Sequence, residues 1–158
     1  MHVKGWVPAV ALAAIASACA PNDDLFGVPG DGYPDNARLV AEAADWANAE
    51  TVLVELSEFE FSPETLLVRK GQAYALSLTN TGSMTHRFVA RGYFRAIATK
   101  SLMYSDAESS YPLIEAIALE PNETKTLFFV PLTPGDYHVS CDMPFHATFG
   151  MVGRILIE

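Results

Sequence analysis

After Glu50 the chain alternates between apolar and polar residues, and this two-residue period predicts β-strands. In the first run Val52, Val54 and Leu56 alternate with Leu53, Glu55 and Ser57. Successive side chains of a strand point to opposite faces, so this is the pattern of a half-buried strand that begins near residue 51. Further strands are expected at residues 65–69, 72–80, 84–90, 114–119, 124–130, 136–141 and 151–157. About seven to eight short strands separated by turn residues predict an all-β fold, a sandwich or barrel.

Two segments depart from the strand period. Apolar residues recur at helical spacing over residues 37–49, and Asn36 is a candidate N-cap, so a short N-terminal helix is expected there. Between the strands, residues 93–103 are expected to form one short helix and residues 104–111 a polar loop. The predicted all-β fold thus includes a short N-terminal helix and one segment of helix and loop between its strands.

The N-terminus has the features of an export signal. A basic start at Lys4 precedes an apolar run over residues 6–18, which is shorter than the roughly 20 residues that a spanning helix needs. We expect a signal peptide over residues 1–18. Ala16, Ser17 and Ala18 before Cys19 resemble the lipobox of bacterial lipoproteins, although Ala16 replaces the usual Leu. That resemblance implies a lipid anchor at Cys19, with plain secretion as the alternative. Turn-rich composition, helical spacing and the strand pattern predict a tether and short helix over 19–50 and a folded domain over 51–158.

The charge balance excludes one class of partner. Asp and Glu outnumber Lys and Arg by 19 to 10, and the formal net charge is −9. Nucleic-acid binding requires a basic face, so no nucleic-acid partner is expected. Arg87, Arg91, Arg95 and Lys100 nevertheless gather in one stretch. This stretch either steers a charged partner or is ordinary solvated surface.

Three side chains with soft or nitrogen donors lie between the last two predicted strands. Cys141, His146 and Met151 are separated by four residues each. Thiolate and thioether sulfur select copper over hard cations, and two imidazoles, one thiolate and a distant axial Met define the blue-copper electron-transfer site. His86, on an upstream strand, supplies the second imidazole if the fold brings that strand beside Cys141. Met84 and Met143 remain alternatives to Met151 as the axial ligand.

Of the two remaining histidines, His2 lies in the predicted signal peptide and His138 is expected to lie off the site. Tyr137, Val139 and Cys141 share one face of a predicted strand, whereas His138 falls on the other. His138 should therefore point away from the candidate ligands.

The stretch TPGDYHVSCDMPFHATFGMVGRILIE, residues 133–158, resembles the copper loop and last strand of the cupredoxins, with ligand spacing similar to that of rusticyanin-type proteins. The resemblance covers residues 51–158. It implies a Greek-key β-sandwich with one copper ion per chain, cycling between Cu(I) and Cu(II), and it implies that His146 is the ligand through which electrons leave. Two positions differ from familiar cupredoxins: Arg87 where Asn or Ser often links the ligand loops, and Phe145 where Gly is common.

The resulting functional hypothesis is an exported, monomeric, non-enzymatic electron carrier. It would be lipid-anchored or soluble on the periplasmic side of a bacterial membrane and exchange single electrons with cytochrome- or oxidase-type partners. Phe145 and Phe149 either surround His146 with apolar docking surface or fold inward. The first alternative is copper storage or delivery, a function that exposed Met- or His-rich tracts would favour. The second is a copper enzyme, which needs further ligands. The third is a metal-free sandwich, which leaves Cys141 unexplained.

Overall fold

The structure, a computed structural model, describes residues 32–105, 107–110 and 112–158. The predicted signal peptide and the predicted lipid anchor at Cys19 lie outside the described residues. Within the described ranges, no helix has the length and apolar character that crossing a membrane requires.

Eleven strands form two sheets in the described part of the chain. They are β1 (Glu50–Ser57), β2 (Glu60–Ser62), β3 (Thr65–Val68), β4 (Tyr74–Asn80), β5 (His86–Val89), β6 (Ile97–Tyr104), β7 (Ala107–Ser110), β8 (Ala116–Leu119), β9 (Thr124–Pro131), β10 (Gly135–Ser140) and β11 (Val152–Ile157). One sheet has the order β2-β1-β4-β9-β6-β7, and the other has the order β3-β11-β10-β5-β8. The pairs β1–β4 and β3–β11 are parallel. The predicted all-β sandwich is confirmed, with more strands than the expected seven to eight.

The main core lies between the two sheets. Burial alternates most clearly in β4, where every second side chain from Tyr74 to Asn80 is buried. Both sheets supply members of one apolar cluster: Val54, Leu56, Leu76, Leu78, Leu127 and Phe129 from the first sheet, and Leu66, Phe88, Ile117, Leu119, Val139 and Ile155 from the second. Burial of this surface is the main favourable contribution to folding.

The N-terminal helix is shorter than the sequence predicts. Helix α1 covers Ala37–Ala43, Ala44 is extended, and a separate 3₁₀ turn follows at Trp46–Asn48. Asn36 occupies the N-cap position, but its side chain makes no capping hydrogen bond. The break lets Trp46 pack edge-to-face on Phe128 while its Nε1 donates a hydrogen bond to the carbonyl of Ala41 at 2.8 Å. Tertiary packing therefore ends the helix.

The expected helix over 93–103 and the expected loop over 104–111 are both wrong. Among the described residues of this segment, α2 (Arg91–Phe94) is a single helical turn, and β6 and β7 form an antiparallel hairpin instead. The pairing of β6 with β9 shifts register between Thr99 and Ser101, which marks a β-bulge. A bulge inserts one residue and breaks the two-residue alternation on which strand prediction depends.

Candidate metal centre

Pairing of β5 with β10 brings the distant histidine to the cysteine. His86 is the first residue of β5, and Cys141 directly follows β10. The two strands are antiparallel, with Val89 opposite Ser140. The backbone N–H of Arg87 then points at Cys141 Sγ, with the nitrogen 3.4 Å from the sulfur. Thus the sheet places both side chains at one end of the sandwich.

Backbone hydrogen bonds close the loop that carries the other candidate ligands. Cys141 N–H donates to the carbonyl of Met151 at 3.1 Å, and Met151 N–H donates to the carbonyl of His146 at 3.0 Å. Gly150 has φ 110°, a left-handed conformation that glycine adopts without steric cost. These bonds and this turn hold Cys141, His146 and Met151 in one compact loop.

The donor atoms of three candidate ligands converge. His86 Nδ1 lies 3.2 Å from His146 Nδ1, and Cys141 Sγ lies 3.4 Å from His146 Nδ1. One donor atom from each residue lies within 4.8 Å of the others. His86 and Cys141 are fully buried, and His146 is 5 % exposed. The structure thus gathers the two imidazoles and the thiol that the sequence singled out.

Of the three methionines considered for the axial position, Met151 has the surroundings that fit best. It is fully buried and its backbone bonds to both Cys141 and His146. Met84 is 40 % exposed, whereas Met143 packs against the main core. His138 is exposed on β10, as its strand position predicts. The burial pattern therefore favours Met151 as the fourth ligand.

A carboxylate that the sequence analysis did not select lies beside His86. Glu58 Oε1 is 3.6 Å from His86 Nε2, and the Glu58 side chain is 27 % exposed. Burial lowers the pKa of His86, with Glu58 opposing this effect and His146 adding to it. His86 is therefore neutral at neutral pH, which is the state in which imidazole binds a metal. In the sequence, Glu58 is one of several acidic residues that stand beside apolar ones after Glu50, so no local pattern marked this contact.

Asn80 was also missed, and it holds the turn that precedes His86. Its fully buried side chain donates from Nδ2 to the carbonyls of Met84 at 2.8 Å and Leu119 at 3.0 Å, and Oδ1 accepts from Gly82 N–H at 2.9 Å. A buried amide with all these bonds stabilises the turn, since leaving such groups unpaired costs about 1–3 kcal/mol each. A polar residue at an inward position of a strand is the sequence signal that marks it.

Exposed aromatic rings surround His146. Phe145 is 72 % exposed and Phe149 is 64 % exposed, with their ring centroids 6.4 Å apart. Phe59 stands edge-on to the His146 ring, at 5.0 Å between centroids, and also packs on Phe149. Of the two orientations that the sequence left open, Phe145 and Phe149 therefore take the outward one.

The basic stretch is largely paired with acidic residues. Arg87 Nη1 lies 2.8 and 2.6 Å from the two carboxylate oxygens of Asp142. Arg91 and Arg95 both approach Glu115, at 3.3 and 3.5 Å. In addition, the Lys100 Nζ lies 4.8 Å from the centroid of the Trp46 ring. Because these charges have local partners, the stretch is not a free basic face.

The donor set meets the requirements of a copper site. Two imidazole nitrogens and one thiol sulfur face one another in a buried space. Met151 is also buried, and its backbone is hydrogen-bonded to the backbones of Cys141 and His146. Histidine, cysteine and methionine together match the soft ligand preference of copper, and His₂Cys with a weak axial Met is the blue-copper set. The residues present therefore fit one copper ion.

Comparisons with known proteins agree with this chemistry. The family described as "Cupredoxin-like domain" matches residues 36–156. The copper-resistant cuproprotein CopI of Rubrivivax gelatinosus is 26 % identical over 154 residues, which cover 95 % of this chain and 92 % of that protein.

Solved structures agree on the fold. Reduced auracyanin from Roseiflexus castenholzii superposes with a TM-score of 0.51 at 20 % identity, covering 70 % of this chain and 98 % of that one. A multi-copper oxidase from Pseudomonas thermotolerans superposes with a TM-score of 0.59 at 19 % identity, covering 73 % of this chain. The match covers 31 % of the length of that oxidase.

The fold, the convergent donors and the family match lead to one assignment. The match covers most of the chain and includes every candidate ligand. This chain belongs to the cupredoxin-like domain family, and its cofactor is copper.

Proposed function

We propose that His86, Cys141, His146 and Met151 hold one copper ion and that the protein passes single electrons between redox partners. Bound copper supplies the one-electron couple Cu(I)/Cu(II). The observation that carries the proposal is the convergence of two imidazole nitrogens and one thiol sulfur within 4.8 Å in a buried site. A preformed donor set limits rearrangement when the charge of the centre changes, which is what fast electron exchange requires.

Different residues of the chain hold the ligands in place and bring one of them near the surface. The N–H of Arg87 donates toward Cys141 Sγ and holds the sulfur in place, and the backbone bonds around Met151 fix the loop. His146 lies beneath the rings of Phe145, Phe149 and Phe59, which we call the aromatic rim. His86 is fully buried, whereas His146 is 5 % exposed. This difference makes His146 the donor side chain closest to solvent.

The aromatic rim is the proposed contact face for redox proteins. Phe145 has φ 68°, a left-handed conformation that costs a non-glycine residue about 1–2 kcal/mol. Retaining a strained and exposed phenylalanine there is consistent with a role at a contact surface. A small apolar patch of this kind suits brief association, because electron-transfer encounters are weak and use small interfaces.

We also propose that the protein acts outside the cytoplasm as a non-enzymatic monomer. The export-type N-terminus and Cys19 support delivery to the periplasmic side of a membrane, with lipid anchoring. Incorporation of palmitate into wild type but not into Cys19→Ala would support the anchor. Equal labelling of both proteins would contradict it.

Copper tolerance is the second candidate function. Its support is the relative from Rubrivivax gelatinosus, which is named a copper-resistant cuproprotein. A tolerance role requires that copper be bound for sequestration or released to an acceptor. It uses the same four ligands, so the ligand assignment alone does not separate the two functions.

The first experiment is the visible spectrum of the mature protein loaded with Cu(II). An intense copper-thiolate band that bleaches with ascorbate and returns with ferricyanide is the expected result. A folded protein that binds copper without such a band would contradict the proposed site.

A second experiment separates electron transfer from copper handling. The Cu(I) protein is incubated with excess bathocuproine disulfonate, and reduced cytochrome c is mixed with the Cu(II) protein. An electron carrier keeps its copper during many cycles of oxidation and reduction. Rapid loss of copper to the chelator, with slow electron exchange, would favour copper handling.

A further inference from the structure

Glu58 faces the side of the His86 ring that is remote from the other donors. His86 Nδ1 faces His146, whereas Nε2 is buried and has no hydrogen-bond partner among the described residues. Glu58 Oε1 lies 3.6 Å from that Nε2. This distance is slightly longer than a hydrogen bond, so the carboxylate acts on the ring through its charge. A small shift of either side chain would let it accept a hydrogen bond from Nε2–H.

Three hydrogen bonds hold the carboxylate in this place. Glu58 Oε1 accepts from the backbone N–H of Ser83 at 2.6 Å, from Ser83 Oγ–H at 3.2 Å and from the backbone N–H of Met84 at 2.9 Å. The amides of Ser83 and Met84 hold the pKa of Glu58 below its usual range. Three donors converge on one oxygen, which is the environment of a carboxylate anion, since that group accepts hydrogen bonds and donates none.

The turn before His86 is shaped to receive this side chain. A Cβ atom at Gly82 would lie 2.7 Å from both carboxylate oxygens of Glu58, closer than side chains approach. Asn80 Oδ1 accepts from Gly82 N–H at 2.9 Å and fixes the glycine against the carboxylate. A larger residue here would have to push the Glu58 carboxylate away from its hydrogen bonds, so Gly82 leaves room for Glu58 to lie against this turn.

We propose that Glu58 is a positioning residue for the copper site: it keeps His86 in the tautomer with the proton on Nε2 and favours the oxidised metal. The proposal rests on the assignment of His86 as a ligand. A carboxylate behind a ligating histidine fixes its tautomer and ring orientation and raises its basicity. With Nε2 protonated, Nδ1 carries the free lone pair, and in the copper-free protein it accepts a hydrogen bond from His146 Nδ1–H.

The direction of the effect follows from charge. A negative carboxylate attracts Cu(II) more strongly than Cu(I), because the attraction is proportional to the charge of the ion. Glu58 therefore lowers the reduction potential. Neutralising it raises the potential and weakens Cu(II) binding more than Cu(I) binding.

The test compares Glu58→Gln with wild type and with Glu60→Gln. Glutamine keeps an oxygen that accepts from the amides of Ser83 and Met84, so the turn is preserved while the charge is lost. Glu60 lies in the same hairpin and hydrogen-bonds to Ser57, and its replacement is the matched control for net charge. The copper-loaded proteins are compared by redox titration.

We expect the ratio of Cu(II) to Cu(I) affinity to fall at least tenfold in Glu58→Gln, a rise of about 59 mV for one electron. Glu60→Gln should stay close to wild type. A Glu58→Gln potential equal to that of wild type or of Glu60→Gln would overturn the proposal. If wild type lacks the copper-thiolate band, the ligand assignment itself fails, so the two failures are distinguishable.

The copper-free protein provides an independent readout. Long-range ¹H–¹⁵N spectra of wild type should show His86 as the Nε2–H tautomer. An Nδ1–H tautomer at His86 in wild type would overturn the proposal whatever the potentials are.

Discussion

Arg87 and Asp142, which directly follow the candidate ligands His86 and Cys141, are joined by a salt bridge. Arg87 Nη1 lies 2.8 and 2.6 Å from the two carboxylate oxygens. The side chains are 39 % and 38 % exposed. Where familiar cupredoxins often use Asn or Ser to link the two ligand loops, this chain uses an ion pair and the N–H of Arg87.

Because the N–H of Arg87 survives replacement of its side chain, Arg87→Ala should retain the copper-thiolate band. Exposed ion pairs contribute little, so the coupling between Arg87→Ala and Asp142→Ala in urea unfolding should be below about 1 kcal/mol. A double-mutant cycle measures it. Loss of the band in Arg87→Ala would show that the side chain, rather than the backbone, maintains the site.

Cys141→Ser should abolish the copper-thiolate band, since the thiolate is the source of the transition. Absorption spectra of Cu(II)-loaded protein measure the loss, and far-UV circular dichroism checks that the sandwich remains folded. His138→Ala is the control, because His138 is exposed and on the opposite face of the strand. Its spectrum should match that of wild type, and a band that persists in Cys141→Ser would disprove the ligand assignment.

Phe145→Glu should slow electron exchange between reduced and oxidised copies of the protein. A charge placed at the rim opposes face-to-face approach of two copies, so we expect the self-exchange rate from NMR line broadening to fall by about tenfold or more. Leu39→Glu, on α1, adds the same charge at a comparably exposed residue, 69 % against 72 %. Equal slowing by both variants would indicate a net-charge effect instead of a contact face.

Gly82→Ala should destabilise the protein through its contact with Glu58. A Cβ at 2.7 Å from the carboxylate oxygens would displace the Glu58 side chain from its hydrogen bonds, with an expected cost of about 1 kcal/mol in the free energy of unfolding. In the Glu58→Ala background that contact is gone, so the same substitution should cost clearly less. Additive effects in urea unfolding would mean that Glu58 does not occupy this position in solution.

Much of the fold was predictable, because a half-buried strand imposes a two-residue period. The segments now seen as β4, β9 and β11 were expected within a few residues of their observed bounds. The failure at β6 and β7 has a local cause. The bulge between Thr99 and Ser101 interrupts the period, and pairing with β9 supplies the stabilisation that local sequence does not.

The three candidate ligands in the loop could be predicted from the sequence because they are close together in the chain. Cys141, His146 and Met151 lie between two adjacent strands, so their spacing carries the chemistry directly. His86 required the fold as well, and its proximity depends on the pairing of β5 with β10.

The sequence by itself determined the fold class and the donor types, since these depend on period and short spacing. Only the tertiary structure decided that Glu58 lies behind His86 and that Phe145 and Phe149 point outward. The physical reason is that these relationships arise between segments far apart in the chain. Packing and hydrogen bonding across the sandwich fix them, and no local pattern encodes such contacts.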